Sequence, residues 1–201
     1  LLFTSLIYSL SFVSLYSREH PWLTISKWIY ANVPPNATIA LEHWDDVLPV
    51  PMQIGEVTRA PGEYNMLTLP MYDEDNAAKL ETLVNALSES DYVILATQRL
   101  SAPITRLPQR YPMSSRYYHL LFNGQLGFDL AAHAINGIAL DGVVIADNRF
   151  DGMLPPTLRS DALVWNWGYA DESFTVYDHP SPLVFKKTRP LSRDELKKLL
   201  Q

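Results

Sequence analysis

The run Asp91-Tyr92-Val93-Ile94-Leu95-Ala96-Thr97 decides the fold. Its continuous apolar centre is too short for a helix and does not alternate, so it fits a strand buried on both faces, as in the middle of a parallel sheet. Just upstream, Leu80, Leu83, Val84 and Leu87 recur at helical spacing, and Asp73 to Asp75 supply acids suited to that helix's N-terminus. Earlier still, Thr38-Ile39-Ala40-Leu41 leads into Glu42-His43-Trp44-Asp45-Asp46, a strand over 38–44 with a polar cluster at its carboxyl end. A helix between two strands predicts a parallel crossover. Strands 38–44 and 92–96 should therefore be neighbours, with both carboxyl ends on one rim.

Further out, Pro21 opens a helix through Leu23, Ile25, Trp28 and Ile29 that stops at Pro34-Pro35. Residues 47–72, punctuated by Pro49, Pro51, Pro61 and Pro70, read as a long loop with short extended pieces. Pro103 to Pro112 reads as another loop. Pro112 then opens a helix carrying Tyr117, Tyr118, Leu121 and Phe122, with Gly124 just past its end. Phe128 to Ala134 fits a strand, and Gly142 to Asp147 is a strand candidate in a region broken by Gly152, Pro155-Pro156 and Gly168. Phe174 to Tyr177 and Leu183 to Lys187 read as an antiparallel hairpin joined by Asp178 to Pro182. Ser192 to Gln201 reads as a basic amphipathic helix. In the uncharged residues 1 to 17, Leu6, Tyr8, Leu10 and Phe12 alternate along the chain, which predicts a strand; five serines make the stretch too polar to span a membrane. The expected fold class is α/β: a three-layer sheet, mainly parallel and Rossmann-like, with an antiparallel C-terminal hairpin, in one domain over 1–201.

Composition narrows the chemistry. A chain of 201 residues that is 47% hydrophobic and 19% charged has the apolar surface to fold rather than stay disordered. A net charge of -6 opposes general nucleic-acid binding, which needs a basic field. With no cysteine, thiol catalysis, iron-sulfur clusters and zinc-thiolate sites are excluded. The eight glycines give neither dinucleotide nor phosphate-loop spacing, so no nucleotide cofactor is expected.

Charge is uneven along the chain. From Glu42 through Asp91 there are eleven acids and two bases; from Tyr92 through Arg116 there are four arginines and no acid. If the two carboxyl ends share a rim, where open α/β sheets bind ligands, Glu42, His43, Asp45 and Asp46 would meet Arg99, Arg106 and Arg110. Trp44 or Tyr111 would offer an apolar face. Structural ion pairs among the same groups are the competing expectation. No metal is expected, because four potential ligands in five extended residues point to opposite sides. Ser173, Asp178 and His179 lack the context of a catalytic triad. Glu42 and Asp46 could do glycosidic acid-base work only at a suitable separation. Six of the sixteen bases lie between Lys186 and Lys198, fitting a solvated helix face or contact with an anionic membrane surface.

Taken in order, several motifs carry a resemblance: Trp28-Ile29 with Asn32-Val33-Pro34; Glu42 to Asp46 with Leu48-Pro49; Asp91 to Leu95; Arg106-Leu107-Pro108 with Arg110-Tyr111-Pro112; Tyr117-Tyr118 before Leu121-Phe122 and Gly124; Leu126-Gly127-Phe128; and Glu172 through Pro180. Together they resemble the C-terminal extracytoplasmic domain of polytopic, lipid-carrier-dependent, mannosyltransferase-like glycosyltransferases of the GT-C type and related YYY-type membrane proteins of prokaryotes. The resemblance implies a domain at the cell membrane that follows the last membrane span of a parent protein, so residues 1–17 would be the strand through which the chain enters it. It implies the parent's transmembrane part as partner, the membrane surface nearby, and a glycan or lipid-phosphate sugar as ligand. No catalytic position of such enzymes matches a residue of this chain. The expected function is a non-catalytic accessory domain that helps to position a glycan, lipid-linked sugar or acceptor; the alternative is an independent glycosidase-like hydrolase using the Glu42 to Asp46 cluster. The candidate ligand-binding residues are Glu42, His43, Trp44, Asp45, Asp46, Arg99, Arg106, Arg110 and Tyr111, with no cofactor, no metal and no nucleic acid.

Overall fold

The computed structural model describes residues 2–140, 143–146, 164–166 and 171–201. A mixed open sheet of five strands lies at its centre, in the order β4 (Asn65–Leu69), β1 (Thr38–Glu42), β5 (Tyr92–Leu95), β10 (Leu183–Lys187) and β6 (Phe128–His133). β1 is parallel to both neighbours, with Ile39 opposite Met66 on one side and Tyr92 on the other. β10 is antiparallel to both β5 and β6. Four strands therefore share one direction and β10 alone opposes them.

Alternation along each strand sends its side chains to two cores. Val93 and Leu95 join Ala40, Leu69, Leu183 and Phe185 beneath α3 (Ala77–Glu89), α5 (Pro112–Phe122) and α7 (Arg193–Leu200). Tyr92 and Ile94 join Ile39, Leu41 and Val184 beneath α2 (Pro21–Asn32). All four β5 residues are buried, which is why that strand reads as continuously apolar. Gly127 lets the chain turn before β6 with φ +80; its carbonyl accepts from the backbone N–H groups of Thr188 and Arg189. A Cβ at that position would sit 2.1 Å from the Arg189 carbonyl oxygen.

The parallel pairing of the strands at 38–44 and 92–96 is present, with bounds at Thr38–Glu42 and Tyr92–Leu95. The helix-linked pair, however, is β4 and β5, with β1 between them in the sheet. Residues 47–72 are more ordered than a loop: they hold the hairpin β2 (Met52–Ile54) and β3 (Val57–Arg59) and the edge strand β4. α3 is capped by the Asn76 side chain, which accepts from the Lys79 backbone N–H at 3.0 Å, rather than by Asp73 to Asp75. Within the expected 103–112 loop a short helix, α4 (Ser101–Arg106), forms first.

Two expectations are overturned. Residues 2–17 are α1 (Leu2–Val13) followed by a 3-10 turn (Ser14–Ser17), not a strand. The alternation at 6, 8, 10 and 12 conceals two i, i+4 pairs: Tyr8 and Phe12 pack inward with Leu15 and Ile138, while Leu6 and Leu10 face outward. Serines suit the helix because their hydroxyls bond back to the backbone, Ser11 Oγ donating to the Ile7 carbonyl at 2.7 Å. Nor is there a hairpin at 174–187. Glu172–Thr175 is a short helix, α6, with Asp171 accepting from the Ser173 N–H at its start. Leu183–Lys187 is antiparallel as expected, but its partners are β5 and β6.

A second, three-stranded sheet comprises β7 (Ile138–Leu140), β8 (Val143–Ala146) and β9 (Val164–Asn166), so the expected strand near 142–147 exists in its described part. Gly142, Asp147, Gly152, Pro155-Pro156 and Gly168 lie outside the described residues. α1 packs on β7, where Ser14 Oγ donates to the Ala139 carbonyl at 2.8 Å. Among the described residues no helix is long and apolar enough to cross a membrane.

Candidate functional site

The carboxyl ends of β1 and β5 lie side by side, and the segments after them are tied together. The Asp45 carboxylate accepts from the Thr97 backbone N–H at 2.9 Å and from the Thr97 hydroxyl at 3.0 Å. Arg99 reaches back across the same junction, its Nη1 donating to the Trp44 carbonyl at 3.1 Å. From the adjoining strand end, Tyr72 donates its hydroxyl proton to the Arg99 carbonyl at 2.9 Å. His43 continues the β1 ladder by donating its N–H to the Leu69 carbonyl. These contacts hold Trp44 outward, 65% exposed and at φ +72, a left-handed conformation that a bulky aromatic rarely adopts. The His43 ring lies 5.1 Å from it.

Beneath this surface is a buried acid with no counter-charge among the described residues. Glu42, the last residue of β1, follows Ala40 in the period of two and so points to the same face, toward α5. It is 4% exposed, and among the described residues neither carboxyl oxygen has a hydrogen-bond partner. The hydroxyls of Tyr117 and Tyr118 are buried and, among the described residues, also without a hydrogen-bond partner. Burial drives the Glu42 carboxyl well above the usual carboxylate range; the nearby Tyr118 hydroxyl opposes this, without hydrogen-bond geometry, and the charge of Asp45 adds to it. The same burial raises both phenols. Asp45 is also raised by burial, against the hydrogen bonds from Thr97 and the Asp46 N–H.

The arginines divide by what they touch. Arg99 is bound to the Trp44 carbonyl and lies 5.4 Å from the centre of the Tyr177 ring. Arg106 makes a two-pronged pair with Glu172, at 2.5 and 2.9 Å. Arg110 stands over the Tyr111 ring at 5.1 Å and has no acidic partner among the described residues. Tyr111 is buried, its ring 6.1 Å from that of Tyr72. The expected meeting of the acidic and arginine blocks is thus only partial: Glu42 turns inward, Asp46 is exposed, and Arg106 finds its acid in α6.

Three further groups had no clear sequence signal. Lys79 Nζ, buried, lies within hydrogen-bond distance of four oxygens: the Met71 and Asp73 carbonyls, Asp75 Oδ1 at 2.8 Å and Ser114 Oγ at 2.6 Å. Asp75 Oδ2 in turn accepts from the Met113 N–H, which fastens the start of α5 to the approach to α3. Tyr117 and Tyr118 looked like core residues of an amphipathic helix, and Glu172 lay far from Arg106 in sequence. Ser173 donates to Asp171 and Asp178 accepts from Tyr16, so they do not assemble a triad. Among the described residues no three histidines or acids could hold a metal ion. A groove of about 720 Å³ lies at the opposite end of the sheet, lined by residues including Asn36, Asp91, Tyr92 and Lys186. No family model, curated protein or solved structure matches the chain.

Proposed function

We propose that this chain is a non-catalytic accessory domain that binds a polar or anionic glycan-type ligand, such as a lipid-phosphate sugar, at the rim formed by β1 and β5. The fold is read as a three-layer, Rossmann-like member of the α/β class, which places ligands beyond the carboxyl ends of parallel strands. The observation that carries the proposal is Arg110: its side chain is exposed, steadied over Tyr111 and, among the described residues, uncommitted to any acid. A planar fork so held suits bidentate contact with phosphate or carboxylate. Trp44, turned outward in a strained conformation, offers a flat apolar surface for a sugar ring. Arg99 and Arg106 act as props in this scheme, because their donors are engaged by Trp44 and Glu172.

The domain would serve the transmembrane part of a glycosyltransferase-like parent, on the extracytoplasmic face of the cell membrane. Titration calorimetry with a short-chain polyprenyl phosphate sugar tests the rim. Arg110→Ala should abolish binding while leaving the melting temperature within about 4 °C, since an exposed cation over a ring contributes only ~0.5–1 kcal/mol. Equal affinity in the variant would refute the role of Arg110.

One observation favours a second reading, a glycosidase-like hydrolase: Glu42 and Asp45 are neighbouring carboxyl groups, both with raised pKa values. Turnover of aryl glycosides that vanishes in Glu42→Gln would establish it. The enclosure of Glu42 and the engagement of Asp45 by Thr97 weigh toward the binding role.

A further inference from the structure

Among the described residues, one face of α1 has no partner. Leu2, Phe3, Leu6, Leu10 and Val13 are each at least half exposed, and at about 100° per residue they fall on about a 100° arc directed away from the second sheet. The other face is fixed to the body through Tyr8, Phe12 and Leu15, and through Ser14 on the Ala139 carbonyl. The stripe is therefore held out on a seated helix about 18 Å long.

Three features select the occupant. No charged residue occurs among residues 1–17, so α1 itself adds no charge to the border of the stripe, where a protein interface carries a polar and charged rim. Ser9 borders the stripe on one side with Ser5 beyond, exposed hydroxyl residues that can return a hydrogen bond to their own helix and need no water. The 3-4-3 spacing of Phe3, Leu6, Leu10 and Val13 makes only two heptads, where a coiled coil needs three to four, and one 12-residue helix falls short of the roughly 800 Å² per partner of a stable dimer.

We infer that α1 is a lipid-contact helix, laying Leu2, Phe3, Leu6, Leu10 and Val13 against the uncharged acyl boundary of a bilayer. This extends the proposed function by naming the surface on which the domain rests, but does not depend on any ligand at the rim. Contact is apolar, so it is insensitive to salt and needs no anionic lipid.

The 201-residue chain is mixed with phosphatidylcholine vesicles and floated on a density gradient, with sedimentation velocity run in parallel without lipid. The expected result is flotation that persists in roughly 0.5 M salt, falls at least about tenfold in Leu6→Ser/Leu10→Ser and is unchanged in Arg110→Ala. As a measurement that leaves the interior of the stripe intact, the tryptophan introduced by Phe3→Trp should be quenched by brominated phosphatidylcholine, while wild-type tryptophan emission is quenched far less. Absence of flotation, together with no added quenching in the Phe3→Trp variant, overturns the inference. So does a concentration-dependent dimer that dissolves in the double variant but never floats, because the occupant is then a second copy. Binding only to anionic vesicles, lost in salt, also overturns it in favour of a basic surface. Failure here with intact sugar-phosphate binding leaves the rim reading standing, and the reverse result removes the rim alone.

Discussion

Replacing Glu42 with Gln should make the protein more stable than its parent as pH rises. In the folded chain this carboxyl is enclosed, unpartnered among the described residues and held well above the usual carboxylate range by burial. In the unfolded chain it ionises near pH ~4.3. Between that pH and the raised folded value, the folded state binds one proton more than the unfolded state. Stability contributed by the protonated acid is thus fully present below the unfolded pKa and is lost as pH rises toward the folded one. One proton gives a slope of about 1.4 kcal/mol per pH unit. In a domain of this size ~1 kcal/mol moves the melting temperature by about 2–4 °C. Gln has the same shape and no titration, so its melting temperature should pull away from that of the parent by roughly 3–5 °C per pH unit above about pH 5. The gap stops growing where the buried acid ionises. Circular dichroism melts of both proteins from about pH 4 to 9 measure this, and contributions from other groups, Asp45 included, largely cancel in the comparison. Parallel curves, or a gap that narrows with pH, would refute the assignment of an enclosed, protonated Glu42.

Other outcomes follow from the same contacts. Asp75→Ala strands the buried Lys79 ammonium and should cost ~3–5 kcal/mol in urea titration, with Asp75→Ala/Lys79→Met recovering part of the loss. Gly127→Ala forces a Cβ into the Arg189 carbonyl at a left-handed φ; strain of ~1–3 kcal/mol plus the clash should lower the melting temperature by at least ~5 °C. Asn76→Ala removes the α3 cap and should cost ~1 kcal/mol, read as a shift of the urea midpoint at constant slope.

What the sequence disclosed depended on whether a residue's neighbours in space were also its neighbours along the chain. Tyr92 to Leu95 were legible because a strand covered on both faces leaves no polar position, and α3, α5 and α7 because helical spacing is local. β4 was not: it is an edge strand of Asn-Met-Leu-Thr-Leu, partly exposed and framed by Pro61 and Pro70, so nothing in its composition distinguishes it from a loop. In α1, Tyr8 and Phe12 belong to one face and Leu6 and Leu10 to the other, a division that four alternating residues cannot reveal. At the rim, the shared edge was readable from strand order, but the partner of each arginine was not, since Glu172 and Tyr177 arrive from a distant segment. Glu42 was readable in principle: period two from the buried Ala40 directs it inward.

The placement of β10 bears on how the chain is made. Its residues, 183–187, fill the gap between β5 and β6, whose strands leave the ribosome long before. At ~5–20 residues per second, the β5 edge waits roughly 5–20 s for its partner, with a fully apolar strand and an unpaired backbone on offer to other nascent chains. Sheet closure is governed by capture of one late segment of high sequence separation, and so is intrinsically slow. Substitutions that weaken Val184 or Phe185 should accordingly reduce the soluble yield in a cell before they visibly lower the melting temperature of whatever molecules do fold.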